Sequence, residues 1–82
     1  MNRNEIADKI SRILKKVLEH DNFEMHDELS AKDVDGWDSL THMVIITEIE
    51  SAFNVKFKLR ELNKLNNMGN LIELVDSKLN IG

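Results

Sequence analysis

Apolar residues recur at helical spacing in several stretches of the chain. The first such series is Ile6, Ile10, Ile13, Leu14 and Val17, with polar residues at most of the positions between them. This pattern is typical of an amphipathic helix that buries one face, and it predicts a first helix over about residues 3–18. Asn2 or Asn4 can cap its start, because an Asn side chain accepts hydrogen bonds from the N–H groups of a first turn.

The stretch 39–53 contains neither glycine nor proline and predicts a second helix, with Asn54 as its stop signal. Its predicted core-facing series is His42, Ile45, Ile46, Ile49 and Phe53. Leu40, Met43 and Val44 fall on a neighbouring face, so the first turns are apolar over more surface than one small core requires. Either this helix is covered on both sides, or the extra face is for a partner.

Two further helices are predicted after residue 57. A short one spans about residues 58–65, where leucines recur at a spacing of three, and a last one follows Asn67 as its cap. The apolar positions are Leu59, Leu62 and Leu65 in the short helix and Met68, Leu71, Ile72, Val75 and Leu79 in the last. A strand over residues 55–57 would lack a second strand to pair with.

Residues 19–37 have no sustained period, yet they contain Phe23, Met25, Leu29 and Trp37. We expect this segment to pack onto the helices as an ordered loop, in which Ser30 could start a single helical turn. Loops of this length are uncommon inside compact domains and tend to be functional. The expected fold is therefore all-α, a single domain over residues 1–82. It is a four-helix bundle with three longer helices, one short third helix and a long ordered loop between helices 1 and 2.

Composition narrows the classes of function. A chain of 82 residues and 9.5 kDa leaves no room for a lobed enzyme cleft, and a net charge of -4 argues against binding nucleic acid. Residues 19–50 carry ten acids and one base, whereas residues 1–18 and 51–82 are both net basic. There is no cysteine, so no disulfide can form. Because the chain also has no long apolar run and no apolar segment at the N-terminus, we expect a cytoplasmic protein without a membrane span. We also expect it to be a monomer.

Three candidate chemistries fail on spacing. An EF-hand loop with Gly36 at its sixth position would have Ala31 at the first and His42 at the twelfth, neither of which can serve there. Asp38, Ser39 and His42 have the residue types of a hydrolytic triad, but they lie too close on one helix to approach a substrate from separate directions. His42 is better explained as a partly buried packing residue. His20 and His26 share no helical face with it, so no metal site is assigned.

The segment around Ser39 is more informative. Gly36 permits a sharp turn, and Trp37 can cover the junction between the loop and the second helix. This turn would place Asp38 and Ser39 at a helix N-terminus, where N–H groups and the helix dipole favour a phosphate. By itself Ser39 could equally be an ordinary capping residue.

The stretch Asp35 to Phe57, DGWDSLTHMVIITEIESAFNVKF, resembles the signature of acyl carrier proteins. In that family an Asp-Ser-Leu motif opens the second helix of a four-helix bundle, and its serine receives 4′-phosphopantetheine from coenzyme A. The matching residues here are Asp38, Ser39 and Leu40. The likeness extends over nearly the whole chain, with the Leu29–Ser30 pair in the loop and the capped last helix.

The resemblance implies that the chain is a carrier and not an enzyme. Ser39 would bear the arm, with Asp38 beside it, and acyl groups would be held on the arm's thiol as thioesters. A magnesium-dependent phosphopantetheinyl transferase would attach the arm. Acyl-activating, acyl-transferring or synthase enzymes would then use it. Apolar contacts to these partners are expected at Leu40, Met43 and Val44, and acidic contacts at Asp38, Glu48 and Glu50.

The chain departs from the pattern common in fatty acid synthesis at several positions. Thr41 and Val44 stand where acids are frequent, and bases stand in the third-helix region at Lys58, Arg60 and Lys64. The cargo could therefore belong to fatty acid biosynthesis or to a specialised pathway, and it could be an aminoacyl or peptidyl group. A helical adaptor without any modification is the remaining alternative. An acyl chain could lodge between the second and third helices near Ile46, Phe57, Leu59 and Leu62, or the core could be solid.

Overall fold

The computed structural model describes residues 2–80 and contains four α-helices over that range. In chain order they are α1 (Arg3–Leu18), α2 (Ser39–Phe53), α3 (Leu59–Leu62) and α4 (Met68–Leu79). A 3-10 turn, Ala31–Asp33, lies in the loop between α1 and α2, directly after Ser30. Residues 2–80 contain no strand, so the expected all-α bundle is confirmed.

The third helix is shorter than the predicted 58–65. After Leu62 the α-helical hydrogen bonds stop, and the N–H groups of Lys64 and Leu65 bond to carbonyls three residues earlier, at 3.2 and 3.1 Å. Such bonds belong to 3-10 turns, which do not extend into regular α-helix. The leucine spacing of three is thus satisfied by one helical turn followed by irregular turns.

The helix ends follow the sequence signals. Asn2, and not Asn4, caps α1 by accepting a hydrogen bond from the Glu5 N–H at 2.9 Å, and the Glu5 side chain bonds back to the Asn2 N–H at 3.2 Å. Asn54 ends α2 in the left-handed conformation, with φ of 55°. Asn67 caps α4 by accepting from the Asn70 N–H at 2.9 Å.

The core is formed by α1, α2, α4 and two loop residues, with α1 packed against both α2 and α4. Its members are Ile6, Ile10, Leu14, Leu29, Val34, Ile45, Ile46, Ile49, Phe53, Met68, Leu71, Ile72 and Val75. Every member is apolar, so the core depends on burial and packing and needs no internal polar network. His42, which the sequence predicts to face the core, is only partly buried and is not one of these residues.

The loop between α1 and α2 is anchored at the N-terminus of α4. The Leu29 carbonyl accepts a hydrogen bond from the Met68 N–H at 2.7 Å, and the Asp27 carbonyl accepts one from the Gly69 N–H at 2.8 Å. These bonds satisfy N–H groups that have no partner within the helix itself. At Gly69 an added Cβ would lie 3.0 Å from the Asp27 Cβ and 3.2 Å from its carbonyl oxygen, so a larger residue there would require Asp27 to shift by a few tenths of an ångström.

Candidate functional site

The loop enters α2 through a turn that is closed by reciprocal hydrogen bonds. Gly36 has φ of 83°, in the left-handed region that glycine adopts without strain, as the sequence predicts. The Asp38 carboxylate accepts hydrogen bonds from the N–H groups of Leu40 and Thr41, both at 3.0 Å. The Thr41 hydroxyl in turn accepts from the Asp38 N–H at 2.8 Å and donates to the Gly36 carbonyl at 2.6 Å. The turn is therefore fixed from both sides.

Ser39 is the first residue of α2, and it is exposed to solvent. The sequence predicts that N–H groups of the first turn could face a phosphate. In the structure two of them, those of Leu40 and Thr41, donate to the Asp38 carboxylate instead. The helix dipole still favours negative charge at this end. The hydrogen bond from the Thr41 N–H is the main cause that lowers the pKa of Asp38, so this cap remains charged at neutral pH.

His20 holds the two ends of the loop together. Its Nε2–H donates to the Asp35 carbonyl at 2.6 Å, and its Nδ1 accepts from the Asn22 N–H at 3.0 Å, an arrangement that assigns the neutral tautomer. From the sequence, His20 is considered only as a metal ligand. The contact joins residues fifteen positions apart in the chain, so no local sequence pattern predicts it.

Trp37 and His42 form a second contact below this turn. The indole Nε1–H donates to His42 Nδ1 at 3.1 Å, and the two rings lie 22° from parallel with their centroids 6.2 Å apart. Both side chains are half-buried. His42 is therefore the packing residue that the sequence indicates, with Trp37 covering the junction of loop and helix, and the two residues share one contact that the sequence does not predict.

The outer face of α2, defined by Leu40, Met43 and Val44, is exposed. Its side chains are respectively 78%, 52% and 45% accessible, so the interpretation that α2 is covered on both sides is wrong. The face adjoins Ser39 along the helix. Clustered exposed apolar side chains are typical of a surface that meets another molecule.

The two acids of α2 make contacts within the protein. Glu48 pairs with Lys16 of α1 at 2.6 Å, and Glu50 accepts a hydrogen bond from the Phe57 N–H at 2.8 Å. Both side chains are half-buried. Each thus ties α2 to a neighbouring part of the fold, and their use as partner contacts stays a prediction.

The part of the chain that the structure describes shows neither a cluster for a metal ion nor a membrane span. Within residues 2–80, no group of three or more His, Asp or Glu side chains is arranged to hold a metal ion. No helix in that range has both the length and the apolar character needed to cross a membrane.

Comparison with known proteins gives one consistent result. Residues 8–75 match the family model described as "Phosphopantetheine attachment site". The chain is 30% identical over 77 residues to an acyl carrier protein of Thermotoga maritima, covering 94% of this chain and 95% of that protein. It is 43% identical to the holo acyl carrier protein from Geobacter metallireducens, whose solution structure superposes with a TM-score of 0.84 and covers 90% of this chain and 85% of that one. The family match covers most of the chain, the bundle has the same fold, and an exposed Ser-Leu pair opens α2. The chain therefore belongs to the acyl carrier proteins, a family with covalently attached phosphopantetheine.

Proposed function

We propose that Ser39 carries the 4′-phosphopantetheine arm, whose thiol holds acyl groups as thioesters. The observation that carries this proposal is the exposed serine at the first position of α2, on a turn that Asp38 and Thr41 hold rigid. A rigid turn presents the hydroxyl to an incoming enzyme in one orientation, which limits the ordering cost of each encounter. The positive end of the α2 dipole also favours the phosphodiester charge.

Attachment requires no base on this chain. The Ser39 oxygen forms a bond to the phosphorus next to the pantetheine of coenzyme A, and the bond from that phosphorus to the bridging oxygen breaks. Adenosine 3′,5′-bisphosphate leaves, while the transferase takes the hydroxyl proton and supplies the magnesium ion. This division of labour suits a serine whose neighbours Asp38 and Thr41 are engaged in the turn, because neither has to activate the nucleophile. The chain itself acts as a carrier.

The attachment site is tested by mass spectrometry after incubation with coenzyme A, magnesium and a permissive phosphopantetheinyl transferase. The protein should gain the mass of one phosphopantetheine group, and Ser39→Ala should gain none. Ser51→Ala is the matched control, because Ser51 is an exposed serine on the same helix. Failure of the unchanged protein to gain mass, or a gain that persists in Ser39→Ala, refutes the assignment.

We also propose that the outer face of α2 docks partner enzymes, beginning with the transferase. Leu40 and Leu59 give a matched pair of exposed leucines, 78% and 75% accessible, of which only Leu40 lies beside Ser39. Leu40→Ala should lower kcat/KM of arm attachment about tenfold, which is the effect of losing about 1.4 kcal/mol at one of the few contacts that dominate an interface. Leu59→Ala should leave it within about twofold. Equal losses in the two variants would argue against docking on this face.

The cargo and pathway are the finer part of the proposal. We propose an acyl group, delivered in the cytoplasm to the enzymes of fatty acid biosynthesis or of a specialised pathway. Support for an acyl group comes from the acyl carrier proteins to which the chain is similar. Mass spectrometry of the protein purified from its native source identifies the thioester. An aminoacyl group would instead make it an aminoacyl carrier, and a native protein without any arm would make it an adaptor.

A further inference from the structure

Four bases and one leucine lie on the outside of the bundle, in the segment that connects α2 to α4. All five side chains are exposed, and together they are called the basic patch: Lys56, Lys58, Leu59, Arg60 and Lys64. Leu59 is 75% accessible, and in the chain it stands between two of the bases. The patch therefore combines positive charge with an apolar side chain that the fold does not cover.

The way this segment packs on the bundle explains why its first two bases point outward. Val55 and Phe57 pack against the core, whereas Lys56 and Lys58, which alternate with them, are exposed. Alternation of this kind is typical of extended backbone, and Lys58 has φ of -86° and ψ of 151°. The fold thus fixes which side of the segment faces solvent.

The charges of the basic patch are not neutralised inside the protein. Within residues 2–80, none of its four bases forms an ion pair, although four other bases do. Those others are Arg3, Arg12, Lys16 and Lys78. Glu61, the one acid of this stretch, pairs with Lys78 at 2.9 Å and accepts a hydrogen bond from the Lys58 N–H at 2.7 Å. The four positive charges are therefore available to a partner.

The start of the patch is well separated from the acids beside the candidate attachment site. Glu50 accepts a hydrogen bond from the Phe57 N–H, which places the start of the patch near the end of α2. Asp38 and Ser39 lie at the other end of this helix, and Ser39 precedes Glu50 by eleven residues, about 16 Å along the axis. That distance exceeds the Debye length of about 8 Å at physiological salt. Acids at that end therefore repel an anion at the start of the patch only weakly.

The composition of the patch favours a lipid surface over a protein surface. Three of its four bases are lysines, and lysine is depleted in protein–protein interfaces. An ammonium group on a flexible chain can follow mobile phosphate groups, because it needs no fixed geometry. A single exposed leucine is too little for the buried apolar centre of a stable protein interface. It is enough to enter the boundary of a bilayer beside a few bases.

We propose that the basic patch binds membrane surfaces that contain anionic phospholipids. The four bases contact the lipid phosphates, and Leu59 enters the boundary between headgroups and acyl chains. Association is peripheral and reversible, because a few bases and one leucine bind much more weakly than a membrane-spanning helix. The contact does not involve Ser39, which lies at the opposite end of α2 from the start of the patch.

Co-sedimentation with vesicles tests this proposal at physiological salt. The unchanged protein should bind vesicles of phosphatidylglycerol and phosphatidylcholine in equal amounts, and it should not bind phosphatidylcholine alone. Lys56→Gln and Arg60→Gln should each lower the partition coefficient about fivefold, which is the contribution of one base near an anionic surface. Lys32→Gln is the matched control, because it removes the same charge from an exposed lysine of the loop. It should stay within about twofold of the unchanged protein.

A second variant separates insertion of the leucine from the effect of charge. Leu59→Ala leaves every charge in place and should lower the partition coefficient about tenfold, since three carbon atoms are lost and each contributes up to about fourfold when inserted. The same variant should still accept the arm at the unchanged rate. Failure of the basic patch and failure of the Ser39 assignment therefore appear in different assays, the first in vesicle binding and the second in the mass of the protein.

Several results would overturn the proposal. These are absence of binding to the anionic vesicles, equal binding to the neutral ones, or a loss in Lys32→Gln as large as that in Arg60→Gln. Displacement by inorganic phosphate beyond that by sodium chloride of the same ionic strength would assign the patch to a free phosphate group. Without vesicles, amide NMR shifts over residues 56–60 that grow with protein concentration and vanish in Arg60→Gln would assign it to the acidic surface of a second copy.

Discussion

Two connecting segments of this carrier differ in how they are held, although neither forms regular structure over most of its length. The acidic loop, residues 19–38, buries Leu29 and Val34 in the core and caps α4 with two backbone carbonyls. The basic segment, residues 54–67, has no fully buried side chain, and Leu59 within it is 75% exposed. The longer segment is thus the better anchored of the two.

The difference shows that length does not decide whether a segment is ordered. The acidic loop gains burial and backbone hydrogen bonds that offset the entropy of fixing it. The basic segment depends more on side chains, through the bond of Glu50 to the Phe57 N–H and the pairing of Glu61 with Lys78 at 2.9 Å. We therefore expect the acidic loop to present Ser39 rigidly and the basic segment to open more readily.

The largest expected effect is on the free energy of unfolding, when one leucine of each segment is changed to alanine. Leu29 is 3% exposed, so Leu29→Ala should lower the free energy of unfolding by about 2 to 4 kcal/mol. Leu62 is half-buried, and Leu62→Ala should cost about 1 kcal/mol, since less apolar surface returns to water. Urea denaturation followed by circular dichroism measures both. Equal losses would remove the distinction between the segments, and Leu59→Ala provides the surface baseline, within about 0.5 kcal/mol.

A smaller effect is expected where the acidic loop meets α4. Alanine in place of glycine usually favours a helix, but at Gly69 the new Cβ would crowd the Asp27 Cβ and carbonyl. Gly69→Ala should therefore lower stability by about 1 to 2 kcal/mol and speed hydrogen exchange at the residue 69 amide, which bonds to Asp27. Ser77→Ala, at an exposed position of α4, is the control. A stabilised Gly69→Ala would show that the loop yields easily.

Local sequence patterns predict much of the fold, and the reasons are visible at individual residues. Asn2, Asn54 and Asn67 act on neighbours within a few positions, so helix ends can be read from the sequence. Ser39 is likewise proposed as the attachment site from the residues adjacent to it. His20 and the Trp37–His42 contact depend on how the loop folds back, which no spacing encodes.

The proposed partner surface on α2 also depends on tertiary contacts that the sequence does not predict. Exposure of Leu40 and Met43 follows from helical periodicity, because both fall off the core stripe. The engagement of Glu48 with Lys16 and of Glu50 with the Phe57 N–H does not follow, because each requires knowledge of which element packs beside α2. Charge in the sequence gives the number of acids but not which ones remain available to a partner.

The smallest expected effect is a difference between the two segments in how their stability depends on pH. Hydrogen bonds from the Lys58 N–H and then from Lys78 lower the pKa of Glu61 below its ordinary 4.5. A carboxylate with a lowered folded pKa stabilises the fold above its unfolded pKa, and this contribution is lost as the pH falls through the folded value. The basic segment should therefore loosen at Glu61 in acid, starting below about pH 4.5, while the junction of the acidic loop with α4 is held by backbone carbonyls that do not titrate.

Amide NMR during acid titration measures this loosening. The Lys58 amide, which donates to Glu61 at 2.7 Å, should lose protection before the Gly69 amide, which donates to a backbone carbonyl that does not titrate. In Glu61→Gln the Lys58 amide should be less protected at neutral pH and nearly independent of pH, because the charged acceptor is absent. Simultaneous loss of protection at both amides in the unchanged protein would mean that the two segments open as one unit, and the contrast between them would then concern burial alone.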